Sequence, residues 1–374
     1  MSRRKRFLFP LMLVTTALAA FAVNAPAQKT ATPSAVAAAA AAASQTSIDP
    51  FQALPPAEAV FVVNVQRVLR DAVPRVLANE PKTLLQMNTS IAGFKALTGI
   101  DVHDVRRLVI GLRDLSPEKM SKGTFNGVII AEGIDTEKLL TLIRMQDKTK
   151  AVEEDYQGQR IYTRPKSPDK PADWDLSIAA LDATTLVVGT ASEVRASIDA
   201  NAGRGARLSA ELRESVMLRP DSLASIAFVM PPSILASMPT TGGDNDMSKI
   251  FTGALASFKM FRGALGLTPT GYDINVAAKL TDSERAKATS DALEGLRALA
   301  VMEAPKTDKD RMMMDLLKQV RISSLEDEVQ ISTEISQVTV NSLIRAANLS
   351  GSRSTQPAKR RTPARRQARR RARG

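Results

Sequence analysis

Short β-branched runs recur between Phe51 and Ser350, and most are joined by tight polar turns or by stretches with a helical period. Ala59 to Val65, Val105 to Leu112, Phe125 to Ala131, Arg160 to Thr163, Leu176 to Leu181 and Thr185 to Gly189 read as strands in the first part of that region. Leu223 to Met230, Phe258 to Leu267, Tyr272 to Leu280, Val320 to Leu325 and Val329 to Ile335 read so in the second. Helical stretches lie between them. One runs from Gln66 to about Leu97 with interruptions at Pro74 and Pro81, one from Thr136 to Met145 behind an Asp135 cap, and one opens at the capping box Thr190-Ala-Ser-Glu193. Later ones cover Pro231 to about Ala256, a stretch from the box Thr281-Asp-Ser-Glu284 to Glu303, Asp308 to Gln319, and Val338 to Asn348. Turns such as Asp182-Ala-Thr184, Pro269-Thr-Gly271 and Glu326-Asp327 join neighbouring strands too tightly for a parallel crossover. The expected class is therefore α+β, with antiparallel sheets and helices packed on one face.

Each half reads strand, helix, two strands, capped helix, hairpin, helix. Two similar lobes, 51–205 and 206–350, are expected from an internal duplication. The competing reading is that any α+β chain can be parsed into such an order.

Charge bounds the function classes. The chain carries 51 Lys and Arg against 39 Asp and Glu, a net +12. Four of the cations, Arg3 to Arg6, and ten more between Arg353 and Gly374 sit in segments without a single acid. Setting these fourteen aside leaves 37 cations against 39 acids, so the region that folds has no net positive field with which to gather phosphates.

The N-terminal cluster precedes an apolar run from Phe7 to Val23 and then Asn24-Ala25-Pro26-Ala27-Gln28. A basic start, an apolar core and small residues at Ala25 and Ala27 predict a signal peptide over 1–27 with cleavage after Ala27. An uncleaved anchor is the alternative. No later segment approaches the roughly 18 consecutive apolar residues of a membrane span. Residues 28–50 include the Ala run Ala37 to Ala43 and read as a low-complexity tether. There is no cysteine, which excludes thiol catalysis, thiolate-held zinc and disulfide staples in a chain otherwise marked for export.

Catalytic signals are thin. His103 is the single histidine and lies in a polar lead-in to a strand, so a surface role is expected rather than that of a triad base. No phosphate-binding glycine motif follows a strand, and neither a metal nor a cofactor is expected. Glu153-Glu154-Asp155 and Glu326-Asp327-Glu328 are the acid clusters that could do acid/base work on a glycosidic bond, though solvated acids beside hairpins are the commoner case. Gly242-Gly-Asp-Asn-Asp246 has the composition of a calcium loop without its spacing. Trp174 stands alone in a charged loop, and Met312-Met313-Met314 must turn at least one side chain outward on a helix.

The sharpest candidate is the tail, 351–374, expected to be disordered. Lys359, Arg360, Arg361, Arg365, Arg366, Arg369, Arg370, Arg371 and Arg373 form its polyanion-binding set. Guanidinium groups bind phosphate bidentately, and behind a signal peptide the polyanions at hand are lipid headgroups and anionic envelope polymer rather than nucleic acid.

Leu54-Pro-Pro-Ala-Glu-Ala-Val-Phe-Val-Val-Asn-Val, Leu97-Thr-Gly-Ile-Asp-Val, Tyr156-Gln-Gly-Gln-Arg-Ile-Tyr and Leu181-Asp-Ala-Thr-Thr-Leu-Val-Val-Gly resemble, in that order, a group of uncharacterised exported bacterial α+β proteins. The resemblance covers roughly residues 54 to 205 and implies export to the periplasm or beyond; it brings no activity, catalytic residue or cofactor. The expected function is that of a non-enzymatic binding or structural protein of the bacterial envelope, held on anionic surfaces by its tail. The alternatives are a carboxylate-dependent envelope hydrolase and a nucleic-acid binder. Oligomeric state is left open.

Overall fold

The computed structural model describes residues 48–116, 118, 126–146, 151–164, 176–231, 257–302 and 308–352. The signal peptide, nearly all of the tether, the basic tail, the Gly242 loop and Trp174 lie outside these residues.

Among the described residues, twelve strands form one antiparallel sheet. They are β1 (Ala59–Val63), β2 (Arg107–Arg113), β3 (Asn126–Glu132), β4 (Val152–Tyr156), β5 (Gln159–Arg164), β6 (Leu176–Ala180) and β7 (Thr185–Gly189), followed by β8 (Ala224–Val229), β9 (Met260–Leu267), β10 (Gly271–Lys279), β11 (Arg321–Leu325) and β12 (Glu328–Ser336). Their order across the sheet is β11-β12-β10-β9-β8-β1-β2-β3-β7-β6-β5-β4. The α+β class read from the sequence holds. The two halves do not form separate sheets, because β1 pairs with β8 over its whole length, from Ala59 opposite Phe228 to Val63 opposite Ala224. Outward from that seam, β1-β2-β3-β7-β6 and β8-β9-β10-β12-β11 share one connectivity, and the first half carries β5 and β4 in addition.

The helices are α1, α2 (Pro81–Thr98), α3 (Thr136–Gln146), α4 (Ala191–Asn201), α5 (Ala210–Met217), α6 (Ser283–Met302), α7 (Asp308–Gln319) and α8 (Gln337–Ser352). α1 runs through Val65–Arg67, a π turn Val68–Ala72 and Val73–Val76. The irregular turn precedes Pro74, which has no N–H to return to the carbonyl four residues back. Pro81 opens α2, where its missing N–H costs nothing, and Gly99 closes it in the left-handed region at φ 67°.

The expectation of helices on one face is corrected. In the first half, Leu108, Ala131, Leu186 and Ile178 face α1 and α3 with Leu69, Leu139 and Ile143. On the opposite face, Val109, Ile130, Val187 and Ala179 face α4 and α5 with Val194, Ile198, Leu212 and Val216. Successive strand residues point to opposite sides, and these central strands are apolar at nearly every position, so both faces have to be covered. In the second half the even positions of β10, Tyr272 to Ala278, lie towards α6 and α8, while the odd ones after Gly271 are Asp273, Asn275, Ala277 and Lys279.

Both predicted capping boxes are also revised. Thr190 Oγ1 accepts from the amide of Glu193 at 3.4 Å, but the Glu193 carboxylate turns away to pair with Arg113. At α6 the cap is Asp282, whose Oδ1 accepts from the Arg285 amide at 2.8 Å. β4 and α5 have no counterpart in the sequence reading.

Asp182, in the β6–β7 turn, ties the start of the fold to that hairpin. Its carboxylate accepts from the amides of Ile48 and Thr184, at 3.1 and 2.6 Å, and from the hydroxyls of Thr184 and Thr185, at 3.1 and 3.0 Å. Burial works against the charge, and these bonds outweigh it, so the carboxyl is held below its ordinary value. A lowered folded pKa means stability that is present above the unfolded value of about 3.9 and is lost as pH falls through the folded one. Asp182→Ala is expected to cost about 1–3 kcal/mol at pH 7. The difference from wild type should shrink in urea melts towards pH 3; a pH-independent difference would show that the carboxylate charge is irrelevant.

Candidate functional site

The acids are dispersed, not convergent. Glu153 and Glu154 lie on β4 at one edge of the sheet, while Glu326 and Glu328 lie at the β11–β12 turn at the other. Twelve strands at about 4.8 Å spacing put those edges on the order of 50 Å apart along the sheet. Four of the six acids also have a local partner. Glu153 takes Arg160 at 3.1 Å and the Tyr162 hydroxyl at 3.2 Å, Glu154 takes Arg195 at 2.6 Å, and Glu328 pairs with Arg262. Asp155 accepts from the Gly158 amide in its own turn, at 3.3 Å. The Arg195–Glu154 pair is exposed, so Glu154→Gln should change stability by less than about 1 kcal/mol in thermal melts; a larger loss would mean that the edge hairpin depends on it.

His103 sits on a 3₁₀ turn, Val102–Asp104, more than half exposed, with Nδ1 2.8 Å from Asp101 Oδ1. Asp101 is held far below the ordinary carboxylate range, first by Lys95 and then by the His103 amide and ring. No nucleophile is among those partners. Among the described residues, no group of three or more His, Asp or Glu could hold a metal ion. Of the Met triplet, Met313 is exposed and its two neighbours are half-buried, as helical geometry requires.

Two carboxylates among the described residues are buried against cations: Glu132, which pairs with Arg106 and Arg107 at 3.3 and 3.1 Å, and Glu193 on α4, which pairs with Arg113. Glu193 is the more deeply buried of the two. Burial raises its pKa, and Arg113 opposes that rise.

The polar face of the second half holds an open hollow of about 420 Å³. Its floor is Ser225, Ala264 and Ala277, and its rim carries Arg219 and Arg262. Arg219 pairs with Asp273, which also accepts from Asn275 at 2.7 Å, and Arg262 pairs with Glu328. The rim is charge-balanced, which suits it to hydrogen bonding rather than to drawing in an ion. Sequence reasoning named the apolar side of β10 and passed over this one; the signal was Asp273 and Asn275 alternating with Tyr272 and Ile274. A second, more open hollow of about 530 Å³ lies between the end of α2 and α3, beside Leu97, Lys138 and Met145.

The tail set Lys359, Arg360, Arg361, Arg365, Arg366, Arg369, Arg370, Arg371 and Arg373 lies outside the described residues. It follows α8, whose first residue, Gln337, bonds the Arg75 carbonyl at 2.9 Å and whose Val340 packs near Tyr272 and Ala72. The helix before the tail is thereby fixed to α1 and to β10 and β12, near the β11 edge of the sheet.

No protein-family model matches the chain, and neither does any curated protein. Among solved structures the chain is similar to two crystal forms of the protein TP0453. Form IV has a TM-score of 0.43 at 11% identity, covering 81% of this chain and 98% of that one. Form III has a TM-score of 0.41 at 11% identity, covering 80% and 99%. Among the described residues, no helix is long and apolar enough to cross a membrane.

Proposed function

We propose that this chain is an exported, non-enzymatic binding or structural protein of the bacterial envelope, cleaved after Ala27 and held on anionic lipid headgroups or envelope polymer by its C-terminal basic set. The observation that carries this reading is the segregation of charge. Fourteen cations occupy two acid-free ends, and the body between them carries 37 cations against 39 acids. An adhesive charge concentrated at one end of a near-neutral body acts as a tether, whereas a nucleic-acid surface would spread it across the fold. The resemblance of residues 54 to 205 to exported bacterial proteins supports the compartment.

The hydrolase alternative loses its support with the separation of the acid clusters, and the nucleic-acid alternative requires a cytosolic chain. N-terminal sequencing of the native protein should begin at Gln28, in the envelope fraction; a cytosolic chain starting at Met1 or Ser2 would overturn the compartment. Binding to anionic vesicles with and without residues 353–374 tests the tether.

A further inference from the structure

Among the described residues, the sheet ends in two strands that pair on one side only, and the two edges have opposite character. β4 presents Glu153, Glu154 and Asp155 in succession, which keeps two copies of that edge apart. β11, Arg-Ile-Ser-Ser-Leu, has no proline, no bulge and no charge after Arg321, and Ser323, Ser324 and Leu325 are exposed along it. Its hairpin closes on Leu325 opposite Glu328 through a two-residue turn. By the alternation of an antiparallel ladder, Leu325, Ser323 and Arg321 turn their backbone groups to β12, which leaves those of Ile322 and Ser324 directed outward.

Above this edge lies α6, packed on β11 and β12. One flank of it meets α7, with Arg297 reaching the Leu317 carbonyl at 3.4 Å. The opposite flank carries Leu296 and Leu299, one turn apart, and Leu299 is 64% exposed. An unpaired strand edge and an apolar helix flank thus border the same side of the molecule.

We propose that this side is a homodimer interface, in which β11 pairs antiparallel with β11 of a second copy about a two-fold axis through Ser323, and the free flanks of the two α6 helices meet over the joined sheet. A two-fold perpendicular to the sheet keeps each face continuous, so facing residues must share a face. That condition sets Ile322 against Ser324 of the second copy, where each pair exchanges both N–H···O bonds, and Ser323 against itself. The same register brings the cationic end at Arg321 beside the acidic turn at Glu326-Asp327 of the other copy, twice per dimer. A five-residue strand alone falls short of the roughly 1,200 Å² at which stable interfaces begin, and the leucine flank supplies apolar area beyond it.

Sedimentation velocity of the full chain, over a concentration series, should show a mass that doubles and then stops. Ser323→Lys and Ser323→Asp each place like charges face to face on the axis and leave the monomer's core untouched, so each alone should lower dimer affinity by at least about 10-fold. An equimolar mixture of the two should recover the dimer, and Leu299→Asp should weaken it independently. Unchanged circular dichroism and melting temperature would confirm that the variants fold. A chain monomeric at every concentration, dimers indifferent to both Ser323 variants, or growth past the dimer through β11 on β4 would each overturn the proposal.

Discussion

Deleting residues 353–374 should abolish salt-sensitive binding of the protein to anionic vesicles while leaving its melting temperature unchanged. The deletion removes ten positive charges and no acid. A basic residue close to an anionic surface contributes on the order of 1 kcal/mol at modest ionic strength. Ten such residues cannot all reach the surface together. If only a third of that energy is realised, about 3 kcal/mol, the affinity still changes by roughly 100-fold. Screening sets the salt dependence: with a Debye length of about 10 Å at 0.1 M, the intact chain should be released as salt rises, and neutral vesicles should bind neither form. Folding should be indifferent, because the deletion begins after the last residue of α8 at Ser352. Binding that survives the truncation and ignores salt would place the adhesive surface on the body and end the tether hypothesis.

What the sequence disclosed about the fold followed from how local the cause was. Strands such as Tyr272 to Leu280 were legible because a period of two is written into adjacent residues, and the start of α2 was legible because Pro81 can open a helix but not continue one. The strand β4 was not, since Val-Glu-Glu-Asp-Tyr has the composition of a solvated turn. It is a strand because β5 supplies a ladder from Val152 opposite Thr163 to Tyr156 opposite Gln159, and because Arg160 and Arg195 balance its acids. The capping box at Thr190 failed for a related reason. Its Glu193 has a stronger partner in Arg113, which is eighty residues away in the chain and close only once β2 and α4 are in place. The second helical face had a readable signal, the continuous apolar runs of β2, β3 and β7, which a sheet open to water on one side would not carry. The polar hollow depends on which strand lies beside which, and no window of sequence contains that.

Gly133→Ala should be among the most destabilising single substitutions in this chain. Gly133 follows β3 at φ 95°, a conformation that costs a residue with a Cβ about 1–2 kcal/mol by itself. Crowding makes the substitution worse still. A methyl built there would lie 2.1 Å from the Asp104 carbonyl oxygen and 2.9 Å from the Arg106 amide nitrogen, and both are backbone atoms that no rotamer change can withdraw. Relief would have to come from moving the chain. The three segments that meet at this point hold one another: the Gly133 and Ile134 amides donate to the Thr184 carbonyl at 2.8 and 3.0 Å, and the Arg106 amide donates to the Glu132 carbonyl at 2.7 Å. Shifting any of them unpicks bonds between the lead-in to β2, the end of β3 and the β6–β7 turn. Strain and lost bonds together should exceed about 3 kcal/mol, in the range reserved for backbone clashes and large cavities. With an unfolding entropy of about 2.1 cal/mol/K per residue over roughly 300 folded residues, each kcal/mol is worth about 1.6 °C, so the melting temperature should fall by about 5 °C or more. Two other glycines separate the causes. Gly158 also has a positive φ, 79°, but nothing lies within 4 Å of its would-be Cβ, so Gly158→Ala should carry the conformational cost alone. Gly93 lies inside α2 with open space around it, so Gly93→Ala should stabilise the protein by about 0.5–1 kcal/mol. Thermal melts of the three variants should rank Gly93→Ala above wild type, then Gly158→Ala, then Gly133→Ala well below. If Gly133→Ala melts alongside Gly158→Ala, the close approach of Asp104 to the end of β3 is not a feature of the folded protein.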